Sequence, residues 1–275
     1  MIKINKLNFS YGRHEVFNNI SLTFKEGQIY GLLGQNGVGK TTLLKILTGL
    51  QKVDKGECII DGIRPYSRDP NFLNNLYFLQ EEPPTPDLKI EEYAKNLGLF
   101  YPNFDFGKLY QLLKDFEVSP KSKFSKLSLG QKKKGILSIA LSLNTKYLFM
   151  DEPSNGLDIP SKAQLRKAIA QNCTDESIII ISTHQVKDLE NLIDPIIILD
   201  KDEVLLNASI EEISNKLYFN YDGEKDDSCL YMEQTLGGYL KVSENVNGVE
   251  SKVNIEALFN TVHQNKEHIK ELFRK

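Results

Sequence analysis

Cysteine is scarce in this chain: Cys58, Cys173 and Cys229 are odd in number and far apart. That spacing excludes a disulfide framework and fits no zinc site. It points to a reducing compartment in which each thiol serves as a small apolar side chain. Long apolar runs are missing too. The longest, such as Ile178-Ile179-Ile180-Ile181 and Ile196-Ile197-Ile198-Leu199, are strand-sized and far short of the ~20 residues a spanning helix needs. Met1-Ile2-Lys3-Ile4-Asn5 alternates like an edge strand and holds no signal-peptide core. A cytosolic protein is expected, or one held at a membrane by something else. Nor is there an excess of positive charge. The net charge of −3 argues against binding nucleic acid by bulk electrostatics, and no nucleic-acid partner is expected. Tryptophan is absent, and 40% hydrophobic with 26% charged residues is the composition of a soluble globular protein.

What the chain does have is a stretch of unusual specificity. Ile29-Tyr30-Gly31-Leu32-Leu33 is an apolar run of strand length, and Leu43-Leu44-Lys45-Ile46-Leu47 is apolar at helical spacing. Between them Gly34-Gln35-Asn36-Gly37-Val38-Gly39-Lys40-Thr41 matches G-x-x-x-x-G-K-[ST], the P-loop, followed by Thr42. Without Cβ atoms, Gly34, Gly37 and Gly39 let the backbone coil tightly and aim successive N–H groups at a phosphate. A helix starting near Lys40 turns its positive dipole end to the same point. Lys40 adds a mobile charge for the β- and γ-phosphates, and the Thr41 hydroxyl is a hard oxygen ligand for Mg²⁺. An ordinary glycine turn would match by chance about once in a hundred chains of this length, and the strand and helix flanks lower that further. The chain is read as a binder of a nucleoside triphosphate.

With 275 residues there is room for one large α/β domain and a smaller addition. Residues 1–9 and 16–24 alternate as antiparallel strands, and Gly56–Gly62 and Leu76–Gln80 read as further strands. Glu81-Glu82-Pro83-Pro84-Thr85-Pro86 breaks the pattern. Helical periodicity then runs through Ile90–Phe100, Gly107–Phe116 and Ser128–Leu143, an insert spanning about 81–145. Strands return at Tyr147–Met150, Ser177–Ser182 and Pro195–Leu199, with helices expected at 160–171 and 185–193. Near-continuous apolar strands alternating with helices imply a parallel sheet covered on both faces. Beyond residue 207 the pattern loosens into a short helix, strand-like pieces and two terminal helices at Glu256–Val262 and Lys266–Phe273.

Three further stretches bear on chemistry. Tyr147-Leu148-Phe149-Met150-Asp151-Glu152 is an apolar strand ending in two acids. Alone this is a weak signal; downstream of a P-loop it becomes strong, with Asp151 placed to steady Mg²⁺ and Glu152 to polarise an attacking water. Ser182-Thr183-His184 closes the next strand, at the edge where ligands of such sheets bind. Lys126-Leu127-Ser128-Leu129-Gly130-Gln131-Lys132-Lys133-Lys134-Gly135 looks like a second anion-binding helix start, with Ser128 as cap and the lysines mostly a solvated face.

The assembled set resembles one family closely, the ATP-binding cassette subunits of ABC transporters. Gly34–Thr41 is similar to its Walker A, Asp151 to its Walker B aspartate, and Glu152 to its catalytic glutamate. Gln80 matches the Q-loop glutamine, His184 the switch histidine, and Tyr11 the aromatic residue that stacks on adenine. Leu127-Ser128-Leu129-Gly130-Gln131 resembles the signature L-S-G-G-Q, with Leu129 in place of the first glycine, and Ser154–Asp158 resembles the D-loop. Residues 139–143 lack the arginine often found there. The resemblance implies an α/β P-loop NTPase core with N-terminal antiparallel strands, an inserted helical subdomain, and a small α+β C-terminal extension. Residues 1–206 would be the cassette and 207–275 the accessory region.

The resemblance also implies a mechanism. Two cassettes, as a homodimer or heterodimer, would pair head to tail with ATP and Mg²⁺ between them. Ser128, Gly130 and Gln131 of one would act on the ATP held by the other. Thr41, Gln80 and Asp151 would serve the metal; Glu152, His184 and Lys40 would serve hydrolysis. Separate transmembrane permease subunits would hold the chain at the inner face of the cell membrane. Softer features, among them Phe100–Asp105 and the short C-terminal extension, resemble bacterial exporters. The competing class is a soluble cassette ATPase acting on ribosomes or DNA. Those types resemble two cassettes in one chain, or carry coiled coils or zinc cysteines, and this sequence shows neither.

Overall fold

The computed structural model describes residues 1–226 and 228–274; Lys275 and Asp227, the last residue of the polar loop expected among the tail strands, lie outside it. The organising strand is β3 (Gln28–Leu33). It pairs in parallel with β7 (Ile178–Thr183) on one side and β8 (Ile196–Asp200) on the other. The sheet continues outward through β6 (Tyr147–Asp151) to β5 (Leu76–Leu79), also parallel, while β9 (Glu203–Ala208) closes the far edge antiparallel to β8. Residues 207 and 208 therefore belong to this sheet.

The isoleucine runs are explained by which face each residue serves. Ile29, Leu33, Leu148, Met150, Ile179, Ile181, Ile196 and Ile198 belong to one buried cluster. Their neighbours Tyr30, Leu32, Tyr147, Phe149, Ile178, Ile180, Ile197 and Leu199 belong to the other. A strand buried on both faces has no polar side to show, so alternation vanishes. One face is covered by α1 (Lys40–Leu47) and a smaller antiparallel sheet. That sheet runs β2 (His14–Phe24), β1 (Ile2–Tyr11), β4 (Lys55–Ile60) in space. A short α2 (Pro70–Leu73) leads into β5.

The opposite face carries the inserted helices α3 (Ile90–Gly98), α4 (Phe106–Asp115) and α5 (Leu129–Ser142), then α6 (Ile159–Asn172). The helix expected at 185–193 does not form; only Val186–Asp188 makes a single tight turn. The segment is held to the sheet, with Leu189 and Ile193 buried and the Asp194 N–H donating to the Ile29 carbonyl at 2.8 Å. The apolar side chains at helical spacing instead drop onto the sheet, with Ile193 seated over Gly31. A Cβ on Gly31 would lie 2.5 Å from the Ile193 side chain.

The tail comprises α7 (Ile210–Lys216), the antiparallel strands β10 (Leu217–Asp222), β11 (Tyr231–Thr235) and β12 (Gly238–Glu244), then α8 (Ile255–Gln264) and α9 (Lys266–Leu272). Leu258, Val262 and Ile269 share a core cluster with Ile29 and Leu33 of β3. Lys187 pairs with Glu256 at 2.7 Å and Lys270 with Glu203 at 2.7 Å. These surface pairs contribute little; the shared apolar core is what docks the tail.

Candidate active site

Parallel register gathers the chemistry. Leu33 is level with Thr183, and Asp151 with Ser182. The P-loop, Asp151-Glu152 and His184 therefore emerge side by side at the carboxyl edge of the sheet, where such folds bind ligands.

The loop's coil is tightest at Gly39. Gly39 has φ +106°, and a Cβ there would lie 2.8 Å from both Val16 and Phe17 of β2. From this tight point α1 begins at Lys40, so the N–H groups of its first turn have no partner within the helix and face the loop. Lys40 is buried, its Nζ donating to the Gly34 carbonyl at 2.8 Å and the Gln35 carbonyl at 3.1 Å. Burial lowers its pKa, against the pull of Glu152, Asp151 and Glu81. The ammonium thus sits folded over the coil formed by Gly34, Gln35, Asn36, Gly37 and Val38.

Asp151 is buried and held from both sides. The Thr41 hydroxyl donates to Oδ2 at 2.6 Å and the Ser182 hydroxyl donates to Oδ1. Gln80 follows β5 and is exposed at the same edge, but its amide forms no hydrogen bond with Thr41 or Asp151.

Glu152 departs from ordinary structure in two ways. Its φ of +47° lies in the left-handed region, which costs a residue with a side chain about 1–3 kcal/mol. Its carboxylate is buried, with Oε1 accepting the His184 backbone N–H at 3.0 Å and lying 2.7 Å from His184 Nδ1. A carboxylate only accepts, so the imidazole proton sits on Nδ1 and the ring orientation is fixed. Oε2 is buried without a protein partner among the described residues. An orphaned acceptor of this kind costs about 1–3 kcal/mol. Strain and an unmet acceptor on one residue mark a site kept for chemistry rather than stability.

Ser128, Gly130 and Gln131 sit apart. Gln131 N–H donates to Ser128 Oγ at 3.3 Å, and Ser128 N–H donates to Gln131 Oε1 at 3.1 Å, a reciprocal cap at the start of α5. No hydrogen bond joins these residues to the P-loop of the same chain, among the described residues. Tyr11 stands 45% exposed at the tip of the β1–β2 hairpin, edge-on to Phe9 with ring centroids 4.9 Å apart. Phe9 pairs across that ladder with Phe17, the residue beneath Gly39.

Two participants are not apparent from the motifs alone. Ser182 supplies the hydroxyl level with Asp151 in the parallel register. Lys133, one of three adjacent lysines expected mostly on a solvated face, is buried. Its Nζ donates to the carbonyl of Glu152 at 2.7 Å and to that of Glu81 at 3.3 Å. The signal was available: Lys133 precedes Ile136, Leu137 and Ala140 at i+3, i+4 and i+7, the inward stripe of α5.

The family model described as ABC transporter matches residues 17–155. The chain belongs to the ABC transporter family. The lantibiotic transport ATP-binding protein SrtF of Streptococcus pyogenes is 30% identical over 86% of this chain and 98% of its own length. The bacitracin transport ATP-binding protein BcrA of Bacillus licheniformis is 27% identical over 85% of this chain and 79% of its own. A dimeric bacterial ABC transporter cassette has the same fold, with TM-score 0.67 and 23% identity over 76% of this chain and 98% of that one.

This cassette binds and hydrolyses ATP. The donors around Asp151 suit Mg²⁺, which takes one or two protein oxygens and fills its octahedron with water and substrate phosphates. Among the described residues no cluster of three His, Cys, Asp or Glu could cage a metal alone, and the Thr41–Asp151 pair supplies the hard oxygens required. Replacing Tyr11 by alanine should weaken ATP binding far more than Tyr11→Phe, because the exposed ring offers a face with no polar side-chain contact among the described residues. Equilibrium titration with ATP decides this; equal losses in the two variants would assign the effect to the hydroxyl or the fold.

Proposed function

We propose that this chain is the ATPase subunit of an exporter, working as a pair of cassettes beneath separate membrane-spanning subunits. The observation that carries the reading is the division of the site. The P-loop, Asp151, Glu152 and His184 converge on one edge, while the capped start of α5 forms no hydrogen bond with the P-loop of the same chain among the described residues. A helix start suited to an anion, without such a bond, fits a role on the ATP of a second copy. In that pair Tyr11 stacks on adenine, and the N–H groups from Gly34 to Thr42 cradle the phosphates. Thr41 and Asp151, with Gln80 at the same edge, serve Mg²⁺, which when bound neutralises phosphate charge. Glu152 orients a water and takes its proton as the water oxygen bonds to the γ-phosphorus and the bond to ADP breaks. Lys40 and His184 stabilise the charge of the departing phosphoryl group. Ser128, Gly130 and Gln131 close the site from the partner.

Among the described residues no helix is long and apolar enough to cross a membrane; in this reading separate membrane-spanning subunits carry the cargo and hold the chain at the inner face. SrtF and BcrA are named for lantibiotic and bacitracin transport, and their likeness to this chain supports export. Residues beyond Ala208 form an accessory region that packs on its own cassette and tunes activity. Its Phe259 lines the same small cavity as Gly34, Gln35, Asn36 and His184. Purification of the tagged chain from gently solubilised membranes should bring down a polytopic protein at fixed stoichiometry. Recovery with ribosomes or DNA instead would overturn the transporter reading.

A further inference from the structure

We propose that Lys133 is a positioning residue, tying the signature helix to the main chain of Glu152 and so linking the two ATP sites of a pair. The inference rests on the reading of Glu152 as the residue that activates water. Lys133 lies in the second turn of α5, beyond the Ser128–Gln131 cap, with only 7% of its surface exposed. A buried ammonium is tolerated only when its donors are met. Here two of the three are met by backbone carbonyls, of Glu152 at 2.7 Å and of Glu81 at 3.3 Å.

Those carbonyls belong to the segments that leave β6 and β5, beside Asp151 and Gln80 respectively. The same two segments are joined a second time, by Asn155 Nδ2 donating to Glu81 Oε1 at 2.8 Å. Glu152 needs such a tether. At φ +47° it has left the strand; its N–H still reaches the Ser182 carbonyl at 3.0 Å, and the ammonium holds its own carbonyl. Three main-chain groups thus aim the carboxylate: the N–H through β7, the carbonyl through α5, and the His184 N–H at Oε1. Any shift of the start of α5 on meeting the partner's ATP is passed through one ammonium to the carboxylate of the chain's own site. Methionine at this position keeps the length and fills the space but donates nothing.

The test uses the full chain. Lys133→Met should lower kcat by about ten- to a hundredfold, the loss expected for a hydrogen bond from a charged donor. The ATP Kd should stay within about twofold, since the P-loop is untouched. In the Glu152→Gln background the same substitution should lower the residual single-turnover rate no further, because no base remains to misplace. Lys133→Gln, whose amide can still donate, should fall between parent and Lys133→Met, and it carries the same readings if the methionine variant does not fold. A kcat within twofold of parent overturns the proposal, as does an equal rate loss with and without Glu152. If Glu152→Gln itself hydrolyses ATP near the parent rate, the underlying reading of Glu152 fails, a result separable from failure at Lys133.

Discussion

Replacing Glu152 by glutamine is expected to slow ATP hydrolysis by about 10²–10⁴-fold, the usual contribution of a general base, with ATP affinity retained. Glutamine keeps the size of the side chain and an oxygen for the His184 N–H, now 3.0 Å from Oε1, so the αL turn need not rearrange. What is lost is charge and basicity at Oε2, the buried oxygen without a protein partner. Nothing that holds the triphosphate changes: Lys40, the loop N–H groups and the Thr41–Asp151 pair are all in place. Single-turnover phosphate release beside equilibrium nucleotide binding separates the two effects. Hydrolysis near the parent rate in the assembled transporter would remove Glu152 from its role.

Lys40→Ala should fail at the opposite step. Its ammonium is the mobile positive charge at the loop, and charged hydrogen bonds to phosphate contribute about 1.5–3 kcal/mol, so ATP affinity should fall roughly ten- to a hundredfold. A second loss follows from the structure. The Gly34 and Gln35 carbonyls, now 2.8 and 3.1 Å from Nζ, lose their shared donor, and the coil is no longer held closed between nucleotides. Binding measured by equilibrium dialysis should show the loss directly. An affinity within threefold of parent would mean that the backbone alone carries the phosphates.

Much of this site was legible because its determinants are local. The glycine spacing, the strand before it and the helix after it lie in one stretch, and Asp151, Glu152 and His184 each end an apolar run. Strands buried on both faces, such as Ile178–Thr183, advertise a parallel sheet because neither face can be polar. Other features depended on distances that sequence does not contain. Residues 185–193 have helical spacing, but only Val186–Asp188 makes a turn, and Leu189 and Ile193 pack directly on the sheet. Lys133 reads as one of three basic neighbours, yet its place on the inward stripe of α5 decides its fate, and Lys134 beside it reaches outward to Asp158 at 3.7 Å. The tail's apolar residues could have packed on a partner; that they join the core beneath β3 follows from the antiparallel return of β9 and the docking of α8 and α9.

The central claim is that the ATP site is completed by the signature helix start of a second copy. Light scattering of purified Glu152→Gln, with and without saturating ATP and Mg²⁺, tests it most directly, because bound ATP that is not cleaved should hold the pair together. The account predicts a molar mass that doubles with ATP and returns to that of one chain with ADP. The mass of a single chain at saturating ATP and high protein concentration would contradict it.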